Sequence, residues 1–333
     1  MRPITYTRAA SLEAAIAAFA DARGEARYIA GGTTLFDLMK LGVERPALLI
    51  DLGAVPGLDG IRIEGDALRL GATALMSDVA EALAARGEHP VLSESLLKAA
   101  SQQLRNMATI GGNLLQRTRC PYFRAGHGAY PCNRRQPGSG CAAIGGLDRG
   151  QAVLGTSEAC TAVSAGDLPV ALVALDARIE LQGPEGRRSI PAAALHRLPG
   201  EAPDQEFALR PGEIITAVVV PRTGAGRAST YHKVRDRESY AFALASAAVV
   251  LEMEGGVVRE ARIALGGVGT VPWRAAPAED ALRGRALTPE GALAAGRAAF
   301  AEARPGQHNG FKTELGARVI AEALMIAAGR SRS

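Results

Sequence analysis

All four cysteines of this 333-residue chain, Cys120, Cys132, Cys141 and Cys160, fall in a single window. The window reads CPYFRAGHGAYPCNRRQPGSGCAAIGGLDRGQAVLGTSEAC. It is dense in Gly, Pro, Asn, Arg and Ser, so it is expected to be an irregular excursion rather than a helix or strand. Four soft ligands on one excursion point first to a metal or iron–sulfur site. Free thiols or two disulfides, the latter with three possible connectivities, are the rivals. Disulfides are most needed in small exported domains, whereas this chain is 47% hydrophobic and long enough for real cores. Zinc is the next rival, but its structural sites bring ligands in close pairs. Here the gaps are eleven, eight and eighteen residues, which is not a standard ferredoxin run either. His127, inside the loop, would be a substitute ligand or a surface histidine.

Two glycine turns of one kind flank this picture: Ala30-Gly31-Gly32-Thr33-Thr34, and Thr109-Ile110-Gly111-Gly112-Asn113 just before the cysteines. Paired glycines allow positive φ and close backbone approach. Successive N–H groups in such a turn form an anion nest, which a following helix N-terminus reinforces. Either turn alone is weak evidence; two together suit the two phosphates of a dinucleotide. Neither matches G-x-G-x-x-G or the P-loop, so Rossmann-type nicotinamide binding and nucleoside triphosphate hydrolysis are not supported.

The remaining pattern is mixed α and β. Ser11 is a plausible cap for a helix to Ala22, with Leu12, Ala15, Ile16 and Phe19 at helical spacing. Short strands are predicted at 28–30 and 47–52, and a hairpin at 61–63 and 67–70 around Gly65-Asp66. Helices are predicted at 77–85 and 91–104, and a strand at 214–220. Antiparallel strands follow at 230–235, 242–253 and 257–265, then alanine-rich helices at 289–304 and 314–328. This implies units at 1–54, 55–223 (with the cysteine excursion at about 117–161) and 224–333. The formal net charge of +4 comes mostly from dispersed arginines, although Arg117, Arg119, Arg124, Arg134 and Arg135 cluster at the cysteine loop. With 4% aromatics and no recognisable motif, nucleic acid is not expected. No apolar run approaches the ~20 residues of a membrane span.

The AGGTT and TIGGN turns, with LLQRTRCPYFR, PCNRRQPGSGCAA, HKVRDRESYAFALASAAV and ARIALGGVGTVPWRA, resemble the FAD-binding medium subunits of the xanthine dehydrogenase and molybdenum aldehyde oxidoreductase family. The resemblance spans essentially the whole chain. It is strongest to the branch with an inserted [4Fe–4S] loop, the periplasmic-type aldehyde oxidoreductases. It implies an α+β fold: a two-part FAD-binding domain of the molybdenum hydroxylase flavoprotein type, then a C-terminal domain with a small antiparallel sheet and helices. Ile29, Ala30, Gly31, Gly32, Thr33, Thr34 and Leu35 would wrap the FAD pyrophosphate, and Thr109, Ile110, Gly111, Gly112 and Asn113 would close on it. Asp167 would contact the adenosine end, with Gly166 where the family carries serine. Lys233 would lie close to the flavin ring and Tyr240 would pack near it. Cys120, Cys132, Cys141 and Cys160 would ligate one [4Fe–4S] cluster. No His or Cys matches a covalent flavin anchor, so FAD is expected to be non-covalent.

The resemblance further implies an electron-transfer role in a hetero-oligomer. A large subunit would carry the molybdopterin centre and oxidise an aldehyde; a small subunit would carry two [2Fe–2S] clusters. This subunit would pass electrons to an external acceptor, with no catalytic residue of its own for the carbon substrate. The alternatives are the flavoprotein subunit of a hydroxybenzoyl-CoA reductase-like complex, with electrons running the other way, or of a xanthine dehydrogenase-like complex, or a cofactor-bearing scaffold. MRPITYTRAASLEAA lacks the apolar segment of a secretory signal. Cytoplasmic folding is therefore expected, with periplasmic location only through a signal-bearing partner.

Overall fold

The computed structural model describes residues 3–331 and contains three sheets. Strands β1 (Thr5–Arg8), β2 (Ala26–Ile29) and β3 (Leu48–Asp51) form a parallel sheet in the order β1-β3-β2. Its first crossover is helix Leu12–Asp21. Ser11 caps that helix as the sequence predicts, its Oγ accepting from Ala14 N at 3.1 Å. Strand β1 was not evident in the sequence. Its residues are largely exposed, so no apolar alternation marks it, and parallel pairing to β3 holds it.

The second sheet is antiparallel. Strands β4 (Ile61–Glu64) and β5 (Ala67–Gly71) form the predicted hairpin. Gly65 has φ +57° at the first turn position, as a two-residue II′ turn requires. The strands β6 (Arg178–Gly183), β7 (Gly186–Pro191) and β8 (Ile214–Pro221) complete the order β4-β5-β8-β6-β7. Thus β8, late in the chain, pairs directly with β5. Everything from residue 72 to 177, including the second glycine turn and the cysteine loop, is an excursion from one sheet that closes behind it.

The predicted helix at 91–104 is two helices, Pro90–Leu97 and Gln102–Arg105. Ala100 adopts φ +50°, and Ser101 caps the second piece, accepting from Leu104 N at 3.3 Å. Leu96, Ala100 and Leu104 keep helical spacing across the break, although the second piece buries none of its residues.

The third sheet, in the order β12-β11-β10-β9, is an antiparallel meander. It comprises β9 (Ser229–Val234), β10 (Ala245–Glu254), β11 (Val257–Gly266) and β12 (Trp273–Arg274). The β10 strand begins three residues later than the apolar run suggests, because 235–244 forms a loop. Helices Ala276–Leu282, Pro289–Ala298 and Phe311–Arg330 pack on this sheet. Helix Leu168–Ala174 is buried along its entire length. It packs against β10 and β11, and its apolar side chains join the core of the five-stranded sheet. Among the described residues no helix is long and apolar enough to cross a membrane.

Candidate functional site

The C-terminal end of β2 runs into the first glycine turn, where a groove of about 880 Å³ opens. That volume lies in the range of small-molecule and cofactor sites. Ile29, Ala30, Gly31, Gly32, Thr33, Thr34 and Leu35 all line it, facing Thr109 and Gly112 of the second turn. The first turn packs against the backbone just before the second: a Cβ on Gly31 would stand 1.8 Å from Met107 O. Gly32 has φ +68°, which favours glycine. The backbone N–H groups of Gly31, Gly32, Thr33 and Thr34 donate no hydrogen bond among the described residues, nor do the two threonine hydroxyls. Unused donors in consecutive order form a nest for an anion. The turns therefore fit a dinucleotide's phosphates.

The second turn contributes less than the sequence suggests. Thr109 Oγ1 caps the short helix Ile110–Leu114 through Gly112 N at 3.2 Å. Ile110 and Gly111 face inward, their N–H groups bonded to Ala74 O and Ala72 O. Asn113 Nδ2 donates to Met76 Sδ at 3.4 Å, and its buried Oδ1 has no partner. Ile110, Gly111 and Asn113 are therefore supports behind the groove rather than its wall.

The opposite wall was not legible in the sequence. The segment from Asp204 to Glu213 lies across the groove, tied back by Arg197 N to Glu206 O at 2.9 Å and by Tyr28 OH to Gly212 O at 3.0 Å. Phe19 stacks on Tyr28 at 4.9 Å between centroids. Arg27, Glu44, Arg117 and Glu206 also line the groove and form ion pairs with one another. They lie too far apart in sequence for any motif to gather them.

Asp167 stands at the N-terminal end of the buried helix and meets Lys233 on β9. Their Oδ2 and Nζ atoms are 2.7 Å apart, and Tyr231 OH donates to Asp167 Oδ1 at 2.5 Å. Burial pushes the carboxyl up and the ammonium down, and each charge opposes the other's shift. In this structure the two residues expected at opposite ends of the dinucleotide are held against each other. Neither residue lines the groove. Tyr240 is exposed on the β9–β10 loop, at φ +51°, with Arg237 over its ring.

All four cysteines are free thiols, so none of the three possible disulfide pairings is present. Cys120, Cys132 and Cys160 share one buried cluster with Leu38 and Phe123, and Cys132 faces Cys141 across an isolated antiparallel bridge. Three N–H groups donate to these sulfurs at 3.4 Å: Gln151 Nε2 to Cys120, and Arg134 Nε and Ala162 N to Cys160. Burial pushes the Cys120 and Cys132 thiols up. No group of three or more His, Cys, Asp or Glu side chains among the described residues is arranged to hold a metal ion. The His127 side chain lies outside those described.

Residues 2–223 match the FAD binding domain in molybdopterin dehydrogenase, and residues 229–327 match the CO dehydrogenase flavoprotein C-terminal domain. The chain belongs to the FAD-binding subunits of the molybdenum-dependent dehydrogenases. This flavoprotein is 46% identical to the aldehyde oxidoreductase FAD-binding subunit PaoB of Escherichia coli, over 97% of this chain and 98% of that one. It is 28% identical to the carbon monoxide dehydrogenase medium chain of Hydrogenophaga pseudoflava, over 98% and 97% respectively. A solved carbon monoxide dehydrogenase from H. pseudoflava superposes with a TM-score of 0.77 at 29% identity, covering 99% of this chain and 98% of that one. The α+β fold with a C-terminal antiparallel sheet is thus that of the family. The groove between the glycine turns is where this subunit offers its unused donors.

Proposed function

We propose that this chain is the FAD-bearing electron-transfer subunit of a molybdenum-dependent aldehyde oxidoreductase. The observation that carries the reading is the run of unused N–H groups from Gly31 to Thr34 facing Thr109 and Gly112, in a chain 46% identical to an aldehyde oxidoreductase FAD-binding subunit. The Gly31–Thr34 amides and the Thr33 and Thr34 hydroxyls hold the pyrophosphate non-covalently. Phe19, Tyr28 and the 204–213 wall shield the groove from water. When bound, FAD supplies one- and two-electron redox chemistry, and the chain's part is to hold it and set its electrostatic surroundings. On the groove, Glu44, Glu206 and Glu213 are each ion-paired with arginine, which suits a holding role rather than a catalytic one. Aldehyde oxidation is assigned to a large molybdopterin subunit and relay to a small [2Fe–2S] subunit, with an external acceptor receiving the electrons.

The cysteine loop is assigned one [4Fe–4S] cluster, with Cys120, Cys132, Cys141 and Cys160 as ligands. Support comes from four free thiols on one excursion, three of them in a single buried cluster, with N–H donors on two of the sulfurs. Such donors commonly surround thiolate ligands and tune the potential of the ligated group. Binding would have to displace the thiol protons and close the four ligands on one centre.

The test is anaerobic purification of the complex, with flavin, iron and acid-labile sulfide measured per subunit. One releasable FAD and about four irons beyond those of the small subunit are expected from the ligand count. Zinc or two disulfides at the four cysteines would overturn the cluster, and absence of flavin would overturn the electron-transfer reading. Bleaching of the flavin by aldehyde in the isolated chain would make it a self-sufficient dehydrogenase instead.

A further inference from the structure

A chain of ion pairs, buried at its inner end, runs from the groove to the cysteine loop. Glu44 pairs with exposed Arg27 at 3.1 Å and with Arg117 at 2.7 Å. Arg117 reaches Glu206 Oε1 at 2.5 Å, and Arg134 Nη1 reaches Glu206 Oε2 at 2.5 Å. Arg134 Nε then donates to Cys160 Sγ. The guanidinium of Arg117 also sits 4.5 Å from the ring centroid of Phe123, which is packed among the cysteines. Arg27, Glu44, Arg117 and Glu206 line the groove, whereas Arg134 does not.

Glu206 is the pivot. Its two carboxylate oxygens are committed to two different arginines, one on the groove wall and one against the cysteines. The side chains of Glu206 and Arg134 are each only 6% exposed. Stranding one member of such a pair leaves an uncompensated buried charge, which is strongly unfavourable. If the 204–213 wall opens, Arg134 loses its counter-ion. If the cysteine loop loosens, Glu206 loses one of its two partners and the wall loses an anchor. Each of wall and loop therefore favours the ordered form of the other.

We propose that FAD occupancy of the groove and order of the Cys120–Cys160 loop stabilise each other through Arg117, Glu206 and Arg134, with Arg134 acting as a positioning residue for Cys160. The coupling rests on FAD binding in the groove, not on which group the cysteines ligate. Coupling of this kind is reciprocal: whatever orders the loop tightens FAD, and FAD orders the loop by the same factor.

The test uses the assembled complex, stripped of flavin and titrated with FAD, with amide exchange followed across residues 120–160. In the wild type, FAD is expected to slow exchange in that loop. Arg134→Gln is expected to weaken FAD binding about tenfold, although the residue does not line the groove, and to abolish the FAD-dependent protection. Arg134→Lys, which keeps the charge, should restore part of both. If Arg134→Gln fails to fold, the double variant Arg134→Gln/Glu206→Gln removes both buried charges together and should show the same loss. Wild-type FAD affinity in a folded Arg134→Gln or double variant, or no FAD-dependent protection in the wild type, would overturn the coupling alone. A wild-type complex that takes up no FAD would overturn the coupling and the flavin assignment together.

Discussion

Asp167 Oδ2 lies 2.7 Å from Lys233 Nζ, with the two side chains only 7% and 1% exposed. The pair joins the start of the buried helix Leu168–Ala174 to β9. Lys233 Nζ also donates to Lys98 O at 3.0 Å, and Tyr231 OH bridges Asp167 to Ser246 Oγ at 2.9 Å. One junction thus ties four parts of the chain.

Breaking it from one side should therefore be costly. Lys233→Met leaves a buried carboxylate with hydroxyl partners only, and a loss of about 3–5 kcal/mol is expected. Asp167→Asn/Lys233→Met removes both charges and should recover a substantial part of that loss. Urea denaturation of the single and double variants measures it. With Asp167→Asn measured as well, a double-variant loss equal to the sum of the two single losses would show that the pair is not energetically coupled.

The two glycine turns should respond differently to substitution. A Cβ at Gly112 meets only Thr109 Oγ1, at 3.0 Å, so Gly112→Val should fold with at most about 1 kcal/mol lost at the cap. Its side chain would occupy the groove, and FAD per chain should fall close to zero. A Cβ at Gly31 would press on backbone, 1.8 Å from Met107 O and 2.7 Å from its carbonyl carbon. Gly31→Ala should thus lose both thermal stability and flavin. Wild-type flavin content in Gly112→Val would remove the second turn from the site.

His196 provides a pH signature. Its Nε2 lies 3.1 Å from Leu114 O, at the end of the second turn's helix, and its Nδ1 is buried without a partner. Burial, reinforced by Arg134, pulls its pKa down to about 4. The unfolded chain takes up the proton near pH 6.5 and the folded protein only near pH 4, so stability falls as pH drops through that window. At pH 5 the loss should be up to about 2 kcal/mol relative to pH 7.5. In His196→Gln, denaturation midpoints at pH 7.5 and 5.0 should differ less than in the wild type. An unchanged pH difference would assign the acid sensitivity to other groups.

Local features were readable from the sequence wherever neighbours in the chain carry the signal. The Ser11 cap, the Gly65-Asp66 hairpin, the long strands around Gly255-Gly256 and both glycine turns all depend on short-range chemistry. The helix break at Ala100 escaped because the apolar spacing continues across it. Strand β1 escaped because its stability comes from parallel pairing with β3, more than forty residues later.

By itself the sequence determined the glycine turns, the mixed α+β class and the grouping of four thiols, because backbone freedom, periodicity and ligand chemistry are properties of adjacent residues. Only the tertiary structure decided that Gly31 meets Met107, that Ile110 and Gly111 face inward, and that Asp167 is spent on Lys233 rather than separated from it. It alone placed Glu206 between Arg117 and Arg134. Ion pairs between residues 72 and 89 positions apart leave no trace in local composition. They exist because β8 closes onto β5 and brings the wall of the groove back against the loop that left it.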